Sequence, residues 1–232
     1  MDEPGAPEDL TRRIAYLARE FFLPHDVDRT LRGVTATAVA TVSGADSAGI
    51  LVVEGKKTFA SHAGTSDLPE QLDGIQEKLG EGPCIEAALA ALVIRSDDFR
   101  TETRWPNFAR AAVDAGVYSS MSFQLYTQSD SMGALNLFSF SPHGFGVEDE
   151  AIAESLAAHA AMALSAARHH EQFRSALATR DIIGQAKGMI MERFDVDAVR
   201  AFEMLAKISQ DSNTPVATVA ARVVDRGPDR RT

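Results

Sequence analysis

Apolar positions alternate between two periods along this chain. Leu10, Ile14, Leu17 and Phe21 recur at helical spacing, and Pro24 closes that face. A second helix is predicted from about Asp28, through Leu31 and Val34, towards Val42, with a turn at Gly44-Ala45-Asp46. The period then falls to two. Ala48 to Val53 reads as a strand, Glu54-Gly55-Lys56 as a turn, and Thr58 to His62 as the returning arm of a hairpin. Helical stretches follow at Pro69 to Leu79 and Cys84 to Ala91, with Leu92-Val93-Ile94 as a short buried strand. Trp105-Pro106 opens a helix that Gly116 closes. Tyr118 to Thr127 and Met132 to Phe140 complete a mostly antiparallel sheet with helices at its ends and on one face, an α+β arrangement.

From about Val147 the pattern is helical without interruption by proline until Pro215. Ile152, Leu156, His159, Ala163, Ala166, His170, Phe173 and Leu177 fall at steps of four and three. This seam predicts a long helix pairing with its twin in a homodimer through residues 152–177. Packing of the same face on its own domain is the alternative. No Gly/Ser linker interrupts the seam, so a rigid connection is expected.

Charge divides the chain at the same place. Arg168 to Thr232 holds 11 basic and 9 acidic side chains, a net of +2, and Met1 to Ala167 holds 12 and 24, a net of -12. A basic tail on an acidic body suggests two roles, although the overall charge of -10 opposes indiscriminate binding to nucleic acid. The single cysteine, Cys84, leaves no internal disulfide and no cysteine-cluster zinc site. No run is long and apolar enough for a membrane span, and the expected location is the cytoplasm.

The tail carries the most specific motifs. They are Arg180-Asp181-Ile182-Ile183-Gly184-Gln185-Ala186-Lys187-Gly188-Met189-Ile190-Met191, then Ala201-Phe202-Glu203-Met204-Leu205, then Val219-Ala220. Their spacing resembles the ANTAR family of transcription antitermination regulators over about sixty residues. That resemblance implies a three-helix module that binds paired stem-loops in nascent RNA and so prevents a terminator hairpin from forming. The residues agree with three helices. The first ends near Arg193, and Asp195 can take the left-handed conformation that follows a helix. The second is capped by Asp197 and is expected to bury Ala201, Phe202, Leu205 and Ile208. The third has Thr214 as N-cap and Pro215 as first residue, buries Val216, Val219, Ala220 and Val223, and stops at Gly227-Pro228. Gly184 and Gly188 read as close packing of the second helix, with close approach of RNA backbone as the alternative.

Lys187 is the leading RNA contact, with Arg180 two turns earlier and Arg193 extending the basic surface. Gly188, Gln210 and Asn213 complete the candidate RNA-binding set. This chain departs from the family's pattern at Asp195, Arg200 and Thr214-Pro215. Arg200 places positive charge near a helix start, and Thr214-Pro215 removes it from a candidate RNA face.

The order of elements in the first two thirds, with Leu79-Gly80-Glu81-Gly82-Pro83-Cys84-Ile85-Glu86-Ala87 and Trp105-Pro106, resembles GAF domains fused to ANTAR modules. That resemblance implies a sensor with a small-molecule ligand or none, and it names no cofactor. Cys84 follows Gly82-Pro83 near a helix start. This makes it the ligand or redox candidate if the helix lowers its pKa, and otherwise a small buried hydrophobe. His62 or His143 could ligate haem, but each reads first as an ordinary loop or strand-end histidine. His169-His170 resembles a phosphoacceptor pair, but no ATP-binding Gly/Asn motif accompanies it and solvated helix residues are the expectation.

The expected organisation is α+β: a GAF-like sensor domain at 10–162, followed by a long helix and a three-helix ANTAR RNA-binding domain, the latter at 163–225. No P-loop, metal-ligand spacing or nucleophile elbow occurs, so no catalysis is expected. The expected function is a signal-responsive RNA-binding antitermination regulator. The alternative is a dimeric protein-interaction sensor that binds no RNA.

Overall fold

The computed structural model describes residues 27–54, 58–89, 92–126 and 131–226. The helix expected at Leu10 to Phe21, the Gly55-Lys56 turn and the Gly227-Pro228 stop lie outside the described residues. The chain forms two compact units, Met1–Ala167 and Arg168–Thr232.

The first unit is α+β. Helix α1 (Val27–Thr41) is followed by the hairpin β1 (Ser47–Glu54) and β2 (Thr58–His62), in which Val53 faces Phe59. Next come α2 (Leu68–Leu79), α3 (Pro83–Leu89), β3 (Val93–Ser96), α4 (Pro106–Asp114), β4 (Ser119–Tyr126) and β5 (Ser131–Ser139). The five strands lie in the order β2-β1-β5-β4-β3, and every pair is antiparallel. The Pro and Gly punctuation acts as the sequence implied. Pro69 and Pro106 sit in the first turns of their helices, Gly80 takes a left-handed φ of 66° after α2, and Gly116 takes 83° after α4.

Helices cover both faces of this sheet, where the sequence placed them on one. The cause lies in the strands. Ile50, Met121, Phe123, Leu135 and Leu137 point to one side, and the alternate residues Leu51, Ala134 and Phe138 are also apolar and point to the other. The first side packs against Leu31, Val34 and Ala38 of α1 and against the start of the long helix α5 (Val147–Phe194). The second packs under α2, α3 and α4, through Leu72, Cys84, Trp105 and Phe108.

This packing revises the dimer seam. Leu156 is buried in the core of the first unit, Ile152 packs partly buried against it, and Ala163 is also buried. That half of the seam serves its own sheet. Only Ala166, His170, Phe173 and Leu177 stay exposed.

The second unit contains the end of α5, α6 (Ala198–Asp211) and α7 (Val216–Asp225). Its core is small: Ala186, Ile190, Ala201, Leu205, Val219 and Ala220. Asp195 turns the chain out of α5 with a φ of 49°, and the Asp197 carboxylate accepts the Arg200 amide at 2.8 Å to cap α6. Asn213 repeats the left-handed exit at 48°. Three expectations fail here. Phe202 and Ile208 are 43% and 48% exposed, because Ala201 and Leu205 alone of that helix turn fully into the thin core. The third helix starts one residue late, with Pro215 in the capping position, while the Thr214 hydroxyl donates back to the Ser212 carbonyl.

Candidate nucleic-acid interface

A groove of about 670 Å³ opens on the second unit. Its walls are Ala176, Thr179, Arg180, Asp181, Ile183, Gly184, Gln185 and Lys187 from α5, and Phe202 from α6. Helical geometry explains the α5 set. Arg180 and Lys187 are seven residues apart, which at ~100° per residue is about 20° short of two full turns, so both face the same side. Gly184 lies between them. Ala186, next to Lys187, turns the other way into the core.

Gly184 and Gly188 are exposed, and a Cβ added to either would meet nothing within 4 Å. The expectation that they let α6 pack closely is therefore wrong, since α6 meets α5 through Ala186 and Ile190. Gly184 leaves open floor in the groove. A helical glycine costs ~1 kcal/mol against alanine, so an unpacked pair has no local structural reason.

Arg180 and Lys187 are thus brought together, and neither makes a salt bridge with a described residue. Gly188, Arg193, Gln210 and Asn213 are exposed but do not line the groove. Arg193 lies about 120° around the helix from Lys187. Gln210 and Asn213 sit at the α6–α7 connection, where the Gln210 carbonyl accepts the Asn213 amide at 3.2 Å. Sequence reasoning missed Phe202 as a groove residue, having assigned it to the core. The signal was present in the small core partners Ala186, Ala201 and Ala220, which leave little depth for a ring.

In the first unit, Cys84 is fully buried. The Gln76 amide donates to its Sγ at 2.9 Å, and the Cys84 N–H donates to Gln76 Oε1 at 2.9 Å. Burial pushes the thiol well up from its ordinary value, and neighbouring Asp73 adds to the rise. This reverses the lowered pKa that a helix start would supply to a redox thiol. Gly82, with φ of 141°, is required because any side chain there would strike Gln76. His62 stands 3.6 Å from Asp28, and exposed His143 holds a left-handed turn with φ of 55°. Among the described residues no cluster of His, Cys, Asp or Glu could hold a metal ion.

The same layer holds buried polar groups without partners. Asn136 faces Ser122 across β4–β5, and Ser120 faces Phe138, so these side chains point towards α2–α4. Neither end of the Asn136 amide, nor the Ser120 hydroxyl, nor either Asp73 oxygen is in hydrogen-bonding geometry with a described group. Burial raises the Asp73 carboxyl from 3.8 to about 7; the Ser61 hydroxyl and Cys84 thiol partly oppose the rise, and Glu70 adds to it.

Comparison with known proteins adds two family matches. A GAF domain model matches residues 24–165, and an ANTAR domain model matches residues 171–224. Comparison with curated proteins returns no match. Solved structures share the fold of the first unit at low identity. The GAF domain of a phosphoenolpyruvate-protein phosphotransferase from Coxiella burnetii is 16% identical, over 71% of this chain and 98% of that one, with a TM-score of 0.55. Free methionine-R-sulfoxide reductase from Neisseria meningitidis is 17% identical, over 69% and 89%, at 0.54. The bacteriophytochrome RpBphP3 from R. palustris is 12% identical, over 82% of this chain at 0.55, and this chain spans 43% of that protein. Among the described residues no helix is long and apolar enough to cross a membrane. With more than half its length matched by the one model and most of its tail by the other, the chain belongs to the GAF family and carries an ANTAR domain after its GAF domain.

Proposed function

We propose that this chain is a signal-responsive, cytoplasmic RNA-binding antitermination regulator. Its ANTAR domain binds paired stem-loops in nascent RNA, and its GAF domain reads the signal. The observation that carries the reading is the groove in which Arg180 and Lys187 flank open Gly184. Two cations without carboxylate partners among the described residues, over a floor free of side chain, suit a phosphate backbone. Gln210 and Asn213, exposed at the α6–α7 connection, and Gly188 and Arg193 are secondary contacts in this proposal. The signal would be a small molecule in the layer where Asp73, Ser120 and Asn136 keep unpartnered polar atoms. Crosslinking of the tagged protein to RNA in cells, followed by sequencing, tests the class. The expected result is enrichment of twin stem-loops ahead of terminators. Enrichment of protein crosslinks without RNA would favour an interaction module instead.

The proposal includes a homodimer, now confined to the exposed part of the seam. Phe173 is 63% exposed and Leu177 43%. Each copy would present one groove, and two linked weak sites gain avidity for two loops when both can engage. Sedimentation equilibrium should show a dimer for the parent and a monomer for Phe173→Glu/Leu177→Glu. A parent that stays monomeric at tens of micromolar ends the dimer part of the proposal.

A further inference from the structure

We infer that Phe202 is the residue on which a loop base of the proposed stem-loop stacks; this rests on the RNA reading above. Arg168–Thr232 contains three aromatic side chains, Phe173, Phe194 and Phe202, and only Phe202 lines the groove. It is 43% exposed in a unit whose core is mostly alanine and aliphatic side chains. Burying a ring is among the largest gains such a small unit could make, yet the ring stands out of the core beside Arg180 and Lys187.

That juxtaposition has a specific chemical reading. A nucleotide offers a phosphate and a π-face a few ångströms apart. Arg180 and Lys187 supply cations for the phosphates, and Phe202 supplies a flat apolar surface for the base. Within an A-form stem the bases already stack on one another and cannot reach the ring. In a loop they can be splayed out and stacked on an aromatic side chain. Gly184, on the same α5 face, keeps side-chain bulk out of the groove. Asp181, on the groove wall, opposes a second phosphate on its side and so favours one register of the strand.

The full chain is titrated with a synthetic RNA hairpin carrying an all-adenosine loop and with the blunt duplex of the same stem. Two variants separate the ring from its bulk. Phe202→Leu keeps an apolar side chain and loses the π-face; Phe202→Trp keeps a ring and reports on it by fluorescence, with the parent's Trp105 signal as baseline. The expected result for Phe202→Leu is hairpin affinity weaker by roughly 5- to 100-fold, with the log-log salt slope unchanged, because no phosphate contact is lost. Phe202→Trp should bind the hairpin within a few-fold of the parent and be quenched by hairpin but not by duplex. Parent-like affinity of Phe202→Leu, or equal quenching by duplex, overturns the stacking role while leaving RNA binding intact. A change of oligomeric state in Phe202→Leu without loss of hairpin affinity overturns it in favour of a protein contact. A parent that binds neither RNA overturns the RNA reading itself and the stacking role with it.

Discussion

At the scale of single residues, the most informative position is Gly184. In a packed helix pair, alanine there would clash and destabilise. Here a Cβ meets nothing within 4 Å, so Gly184→Ala should leave the fold intact or stabilise it by up to ~1 kcal/mol while narrowing the groove. Thermal melts and hairpin binding on the same sample should therefore move in opposite directions; a mutant that loses both would return Gly184 to a packing role. Asp73 makes a second test, on pH. Its folded carboxyl is raised to about 7 against 3.8, so the folded chain holds the proton more tightly than the unfolded one. The stability this contributes is full below pH 4 and is lost as pH rises to about 7, on the order of several kcal/mol at most. Asp73→Asn should flatten the dependence between pH 5 and 8 and be the more stable form at pH 8. Urea unfolding at the two pH values measures this, and parallel curves for parent and mutant would contradict it.

At the scale of elements, the sheet and its punctuation were legible in the sequence. Period-two runs gave the β1–β2 hairpin and the β4–β5 pair, and Pro69, Pro106, Gly80 and Gly116 marked helix ends. Face assignments were less legible. Alternation along a strand shows that one side is apolar, and Leu51, Ala134 and Phe138 made the second side apolar as well. The heptad seam on α5 was real as a pattern, but its first half is consumed by the core of the first unit. A stripe of Ile, Leu and Ala looks the same whether it meets a sheet or a twin helix. In α6, the motif that identifies the domain also suggested a buried Phe202, whereas depth in so small a core is set by its alanines. Leu205 is the residue that fills it, at 0% exposure. Leu205→Ala should cost about 2 to 5 kcal/mol, and Phe202→Ala far less. Circular dichroism melts of the two full-chain variants give the ranking; the reverse order would restore Phe202 to the core.

At the scale of the whole molecule, charge and family agree on a division of labour. The first unit is acidic and takes the GAF fold, and the second holds the basic excess and the groove. The net charge of -10 means that non-specific attraction to RNA is weak, so the proposed RNA affinity has to come from a few placed cations. The salt dependence of binding therefore reports directly on those cations. Filter binding of the full chain to a stem-loop recovered by crosslinking, over a salt series, is compared with Arg180→Ala/Lys187→Ala. The expected result is weaker binding by the double variant and a log-log slope shallower by roughly 1.4 to 1.8, one phosphate contact being lost at each position. Equal affinity and equal slope for the two proteins would contradict it and remove this groove as the RNA site.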